Sequence, residues 1–354
     1  MACDVAFLRD LCLTPGPSGF EGPVQRLLRK RVGGLAKVCG DSLGNLWAEL
    51  TQDGSPHVVV VAHADQIGMI VTDVDDDGFV SFRPIGKVDC RLLPGRNLVL
   101  HTDRGPVEGV VGHRPAIFAT PGDRQSADEA RELYLDIGAV SGADPVRRVE
   151  VGDAITFAPR FLEMSADRYA SQAVDDRAGV YVTFRALELY AEQPAVTRFT
   201  AVSTVHEETT FMGAKSLAQR LHPDCMIVVD ADYATDHPGV DRRQSGGEVR
   251  LGAGPVIARG VGSNSAFVRL ARDVASSEDI PVQIKAEPAS METDADELMA
   301  AGTGATLSLS VPVRYMHSPF EVVCPDDLVA AANLVAAVAR RLGDVFEPDM
   351  FRSW

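Results

Sequence analysis

The sequence predicts an α/β protein: a three-layer α/β/α domain on a mostly parallel mixed sheet, formed by residues 1–69 and 166–354, plus a small β-barrel-like domain inserted at 70–165. Three observations carry this. The runs Val58-Val59-Val60-Val61-Ala62 and Cys225-Met226-Ile227-Val228-Val229 are apolar without alternation, the pattern of strands covered on both faces. Helix-length stretches lie between such runs, as parallel strands require. Between about 70 and 165 both features vanish, and short alternating segments separated by turn residues replace them. A length of 354 residues suits two domains at ~100–200 residues each.

Along the chain, residues 3–13 carry apolar side chains at helical spacing, and Thr14-Pro15-Gly16-Pro17-Ser18-Gly19 then stops the helix. A helix with a basic face runs from Glu21 to Val32, followed by strands at 34–40, 45–50 and 57–63. The insert reads as strands at 79–84, 97–101, 107–111 and 154–157. Its turns fall at Asp75-Asp76-Asp77-Gly78, Asp103-Arg104-Gly105 and Gly142-Ala143-Asp144, and Pro115 to Glu132 reads as a mobile loop. The α/β pattern returns after Ala170 with a helix ending near Tyr190, a strand at 196–205, a helix to about Gln219 and a strand ending at Asp230. Helices near 263–278 and 295–301 flank a short strand at 281–285. The last strand is placed at 306–311, and the C-terminal helix runs from about Asp326 to Leu342.

The net charge of −16, from 34 basic and 50 acidic residues, argues against a nucleic-acid partner. Six scattered cysteines form no C-x-x-C pair and suit small buried hydrophobes in a reducing compartment. With no basic leader and no apolar run near the ~18 residues of a membrane span, a cytoplasmic protein is expected, with no membrane partner.

The chemistry lies at strand ends. The apolar run 196–205 stops at Glu207-Glu208, the run 58–62 stops at His63-Ala64-Asp65, and Asp175, Asp230 and His317 stand at further strand exits. Any one of these has a bland reading: a Glu pair at a turn is usually solvated, and an isolated H-x-D is seldom a ligand. Five such strand ends at one sheet edge converge in space, where open α/β sheets bind ligands. Two imidazoles with three or four carboxylates suit two zinc-like divalent ions sharing a carboxylate, with a bridging water as the nucleophile. Of the two adjacent acids, one can hold metal while the other moves a proton.

With Pro15-Gly16-Pro17-Ser18-Gly19-Phe20-Glu21, Gly44-Asn45-Leu46 and Arg314-Tyr315-Met316-His317-Ser318-Pro319, the sequence resembles the tetrahedral aminopeptidases, a family of dimetal peptidases that includes glutamyl and deblocking aminopeptidases. The resemblance implies that His63 and Asp230 hold one ion, Glu208 and His317 the other, and that Asp175 bridges them. It implies Glu207 as general base, Asp65 as the residue orienting His63, and a cis peptide before Asp176. It implies release of N-terminal residues from short peptides. It also implies homo-oligomers in which the inserted domain pairs chains into dimers and six dimers close into a dodecamer. Zinc is the first expectation for both ions, and cobalt and manganese also suit the ligands. After the Glu pair, Thr209-Thr210-Phe211-Met212 replaces the family's usual Val-Gly-x-Arg, so substrate preference does not carry over.

Two other classes compete. A related dimetal carboxypeptidase or N-acyl amino acid deacylase would use the same metal chemistry, and an arginine in the cleft (Arg177, Arg259 or Arg314) would favour a carboxylate-binding site. A non-catalytic assembly protein on this fold should have lost ligands, and none is missing. Adjacent acids do not match the ~5–9.5 Å spacing of a glycosidase pair.

Overall fold

The structure, a computed structural model, describes residues 2–50, 53–113, 117, 133–139, 148–165, 167–243 and 245–352. Helix α1 (Val5–Leu13) is capped by Asp4, which accepts from Phe7 N, and α2 (Gly22–Val32) has a proline in its first turn and Arg29, Lys30 and Arg31 in its last. Strands β1 (Lys37–Gly40), β2 (Leu46–Leu50) and β3 (His57–His63) come next. They lead into β4 (Gly68–Val74), β5 (Phe79–Ile85), β6 (Asn97–Thr102), β7 (Gly105–Gly112), β8 (Tyr134–Asp136) and β9 (Ala154–Phe157). These six close a barrel in the order β4-β5-β8-β7-β6-β9 around its own core of Met69, Phe82, Leu98, Leu135 and Ile155.

The chain then runs through β10 (Phe161–Met164), β11 (Arg168–Ser171), α3 (Val174–Glu192), β12 (Arg198–Thr204), α4 (Met212–Ala218) and β13 (Cys225–Tyr233). It continues with β14 (Val256–Gly260), α5 (Ser265–Ser277), β15 (Gln283–Glu287), α6 (Asp294–Ala300), β16 (Ala305–Val313), β17 (Glu321–Val323) and α7 (Pro325–Val345). The main sheet has eight strands in the order β1-β2-β12-β3-β13-β16-β14-β15. Its four central strands, β12, β3, β13 and β16, are mutually parallel, while β2 and β14 join them antiparallel.

The unalternating valines of β3 explain the layering. Val58 and Val60 belong to a core that also holds Leu8 of α1, Phe184 of α3, Phe267 of α5 and Leu328 of α7, whereas Val59 and Val61 belong to a second one with Leu217 of α4 and Leu298 of α6. Side chains alternate across a strand, so both faces of this one are core. Each fully buried valine contributes on the order of 1.5–3 kcal/mol over an exposed one.

Several elements differ from the sequence expectation. β13 does not end at Asp230 but runs on to Tyr233, because its parallel partner β16 is equally long and pairs as far as Val313. β14 and the three-stranded sheet β10-β11-β17 were not expected; three of these four strands have only three or four residues, too short for periodicity to register. The expected turn at 142–144 lies outside the described residues, as does the expected loop at 115–132 apart from residue 117. All six cysteines are free, but only Cys12, Cys225 and Cys324 are buried. Among the described residues no helix is long and apolar enough to cross a membrane.

Candidate active site

The parallel strands deliver polar side chains to one edge of the sheet. β3 ends on His63, Glu207 and Glu208 come just after the end of β12, Asp230 lies on β13, and His317 stands just beyond β16. Asp175 comes from the first turn of α3, where the backbone is non-helical at Asp175 and Asp176 and the peptide between them is cis. His63 Nε2 lies 3.3 Å from Asp175 Oδ1, 3.6 Å from Asp230 Oδ1 and 3.9 Å from Glu207 Oε2. His317 Nε2 lies 3.1 Å from Asp175 Oδ2 and 3.6 Å from Glu208 Oε2. Asp175 therefore turns one oxygen to each imidazole. These six residues share a cleft of about 470 Å³.

Asp65, the seventh residue singled out in the sequence, lies fully buried behind them. Its Oδ1 stands 3.5 Å from His63 Nδ1, but its shorter contacts go to the acid pair: it accepts from Glu207 N and Glu208 N, both at 3.0 Å, and from Ser18 Oγ at 2.5 Å. The H-x-D aspartate thus fixes the backbone of both glutamates. Asn45 holds the same turn from the other side, accepting from Val205 N at 3.1 Å and donating to Gly213 O at 3.0 Å. Sequence reasoning missed Glu321, which accepts from Asp175 N at 3.0 Å and His317 N at 2.7 Å and so positions two candidate ligands at once. A lone acid opening the apolar run Glu321-Val322-Val323 was the signal that could have found it.

The backbone around the site is strained. Ala173, His206, Phe211, Tyr315 and His317 have φ between 55° and 62°, the left-handed region that costs a residue with a Cβ roughly 1–2 kcal/mol. Such strain persists where surrounding structure holds a side chain on target.

The electrostatics call for cations. Burial, with Asp230, Asp294 and Glu208 nearby, pushes Glu207 up to about 11, and burial with Asp175 nearby holds Glu208 well above the usual carboxylate range. Burial opposes charge on His63 as well, but Glu207, Asp175 and Asp230 outweigh it and hold the imidazole well above its ordinary value. Asp175 is held low despite burial because His317 and His63 face it. Without cations the cluster must keep protons. Three buried atoms, His63 Nδ1, Asp175 Oδ1 and Glu208 Oε1, have no hydrogen-bond partner. Among the described residues, three sets of donor atoms, His63/Glu207/Asp230, Asp175/Glu208/His317 and Asp175/Asp176/Asp230, each lie within 4.8 Å of one another. Imidazole nitrogens and carboxylate oxygens in these sets are the donors a divalent transition metal takes, so the residues fit the expected ions.

None of the three arginines that could have favoured a carboxylate lines the cleft. Arg177 is buried and donates to Leu11 O and Thr14 O, and Arg314 is clamped bidentate on Asp236 at 2.7 Å and 2.7 Å. Arg259 lies exposed on β14.

The family model of the M42 glutamyl aminopeptidases matches residues 44–334. The chain belongs to the M42 glutamyl aminopeptidase family. It is an aminopeptidase, and peptidases of the M42 family are metal-dependent. It is 30% identical over 352 residues to a lysyl aminopeptidase of Pyrococcus furiosus, covering 96% of this chain and 97% of the other. The fold matches the TET aminopeptidase of a marine-sediment thaumarchaeon with a TM-score of 0.89 at 26% identity, covering 96% of each chain. It also matches a TET peptidase of Pyrococcus horikoshii, which can assemble into a tetrahedron or a large octahedral shell. That match has a TM-score of 0.84 at 29% identity and covers 95% of this chain and 98% of the other. The M42 fold here carries its barrel close to the cleft: a Cβ on Gly86, whose φ is 74°, would stand 3.3 Å from Glu208 Oε2.

Proposed function

We propose that this M42 peptidase removes residues stepwise from the N-termini of short peptides, with two divalent ions, zinc foremost and cobalt or manganese as alternatives. His63 and Asp230 would hold one, Glu208 and His317 the other, with Asp175 shared. When bound, the ions would polarise the scissile carbonyl and supply a water acidic enough to attack near neutral pH. Glu207 is the general base: it takes the water's proton and passes it to the leaving nitrogen. Asp65 keeps Glu207 aimed by fixing its N–H, and Glu321 does the same for Asp175 and His317.

The observation that supports the N-terminal direction is the lining of the cleft. Among the described residues, its cations outside the imidazoles, Lys87 and Lys285, are both paired with acids, and no arginine lines it. An incoming α-amine meets carboxylate acceptors, whereas a C-terminal carboxylate finds no bidentate partner. One peptide prepared free, N-acetylated and C-amidated provides the test. The free and C-amidated forms should be cleaved at similar rates and the acetylated form spared; the opposite pattern would move the chain to carboxypeptidase or deacylase chemistry.

We extend the assembly of the TET relatives to this chain. The barrel within residues 70–165 pairs chains into dimers and six dimers enclose the active sites, which limits substrates to short or unfolded peptides. The rest of the chain, 1–69 and 166–354, is the catalytic domain. Light scattering should give a mass near twelve chains, and a stable monomer at micromolar concentration would refute the assembly.

A further inference from the structure

The cleft continues beyond the residues assigned to the ions. Asp232 lies two residues past Asp230 on β13, so both side chains face the same way, with the second roughly 6–7 Å further along. From β15, Lys285 and Glu287 likewise share one face and reach the cleft. Lys285 Nζ lies 2.8 Å from Asp232 Oδ1 and 2.8 Å from Glu287 Oε1, and the three side chains are only 13–16% exposed. Here one ammonium stands between two carboxylates, with a net charge of one negative. The other ion pair on the wall, Lys87 with Glu292, is more than two-thirds exposed, neutral as a pair and screened by solvent.

Resting on the aminopeptidase reading above, we infer that Asp232, Lys285 and Glu287 form the side-chain subsite that selects the N-terminal residue, favouring basic over acidic side chains. A substrate whose carbonyl lies at Asp230 can extend a long side chain along β13 to this triad. A lysine or arginine there supplies the second cation that the two carboxylates lack. A glutamate would instead bring a third carboxylate to a single ammonium already shared between two, and like charges in contact across a poorly solvated site are strongly disfavoured. Lys285 is thus a restrained cation: its partners keep it from recruiting acidic substrates.

The experiment measures kcat/KM for matched chromogenic amides of lysine, leucine and glutamate. Wild-type protein should favour lysine over glutamate by roughly tenfold or more. Lys285→Met, which leaves both carboxylates unneutralised, should raise that ratio. The double variant Asp232→Asn, Glu287→Gln, which releases Lys285, should lower it by roughly tenfold or more and move preference toward glutamate. Each ratio is taken within one enzyme, so a loss of folded protein cancels. A wild-type preference for glutamate, or a ratio that neither variant moves, overturns the inference. Failure to cleave any of the three amides or a free peptide would instead strike the aminopeptidase reading itself.

Discussion

Glu207→Gln should lower kcat by roughly 10²–10⁴-fold, the range lost with a general acid–base group, while both ions stay bound. The substitution keeps the side chain's size and the backbone N–H that donates to Asp65, so the turn carrying it should not move. In the proposed assignment Glu207 is the acid of the Glu pair that holds no ion, so the variant lacks the group that shuttles the proton. Glu208→Gln offers the contrast: its Oε2 faces His317, and its loss should weaken ion occupancy on that side rather than spare it. Metal analysis beside steady-state kinetics distinguishes the two. Loss of metal in Glu207→Gln with full metal in Glu208→Gln would exchange their roles.

Asp175→Ala should have the larger effect on the metal. Its two oxygens face the two imidazoles at 3.3 Å and 3.1 Å, so a single truncation removes an oxygen from beside each of them. We expect metal content to fall below two ions per chain and activity to fall by roughly 10³-fold or more, the several kcal/mol that a lost Lewis acid represents. The local backbone has independent support, because Glu321 holds the residue through its N–H. A variant that keeps two ions and a rate within about tenfold of wild type would contradict the bridging role.

Much of this was legible in the residues because the signals were redundant. The valines of β3 and the apolar start of β13 announce strands buried on both faces, and both runs give way to chemically active side chains: His63 and Asp65 after the first, Asp230 after the second. Glu207 and Glu208 stood out because two acids interrupt an apolar run. The residues that stayed hidden act through backbone groups. Glu321 accepts from Asp175 N and Asn45 from Val205 N, each more than a hundred residues away, and no local periodicity encodes such a contact. Nor did spacing reveal that Asp65 holds the Glu pair more closely than His63, since that depends on how the ends of β3 and β12 lie side by side in register. The short strands β10, β11 and β17 escaped for a different reason: three or four residues cannot display alternation.

The central claim is that two divalent ions per chain, held by His63, Asp175, Glu208, Asp230 and His317, are the working cofactors of the aminopeptidase. The most direct measurement strips the protein with a chelator, titrates zinc back, and tracks bound metal and peptide cleavage together. Activity should vanish in the stripped protein and return as occupancy approaches two ions per chain. Full peptide cleavage with the chelator present, or saturation without any second ion, would contradict it.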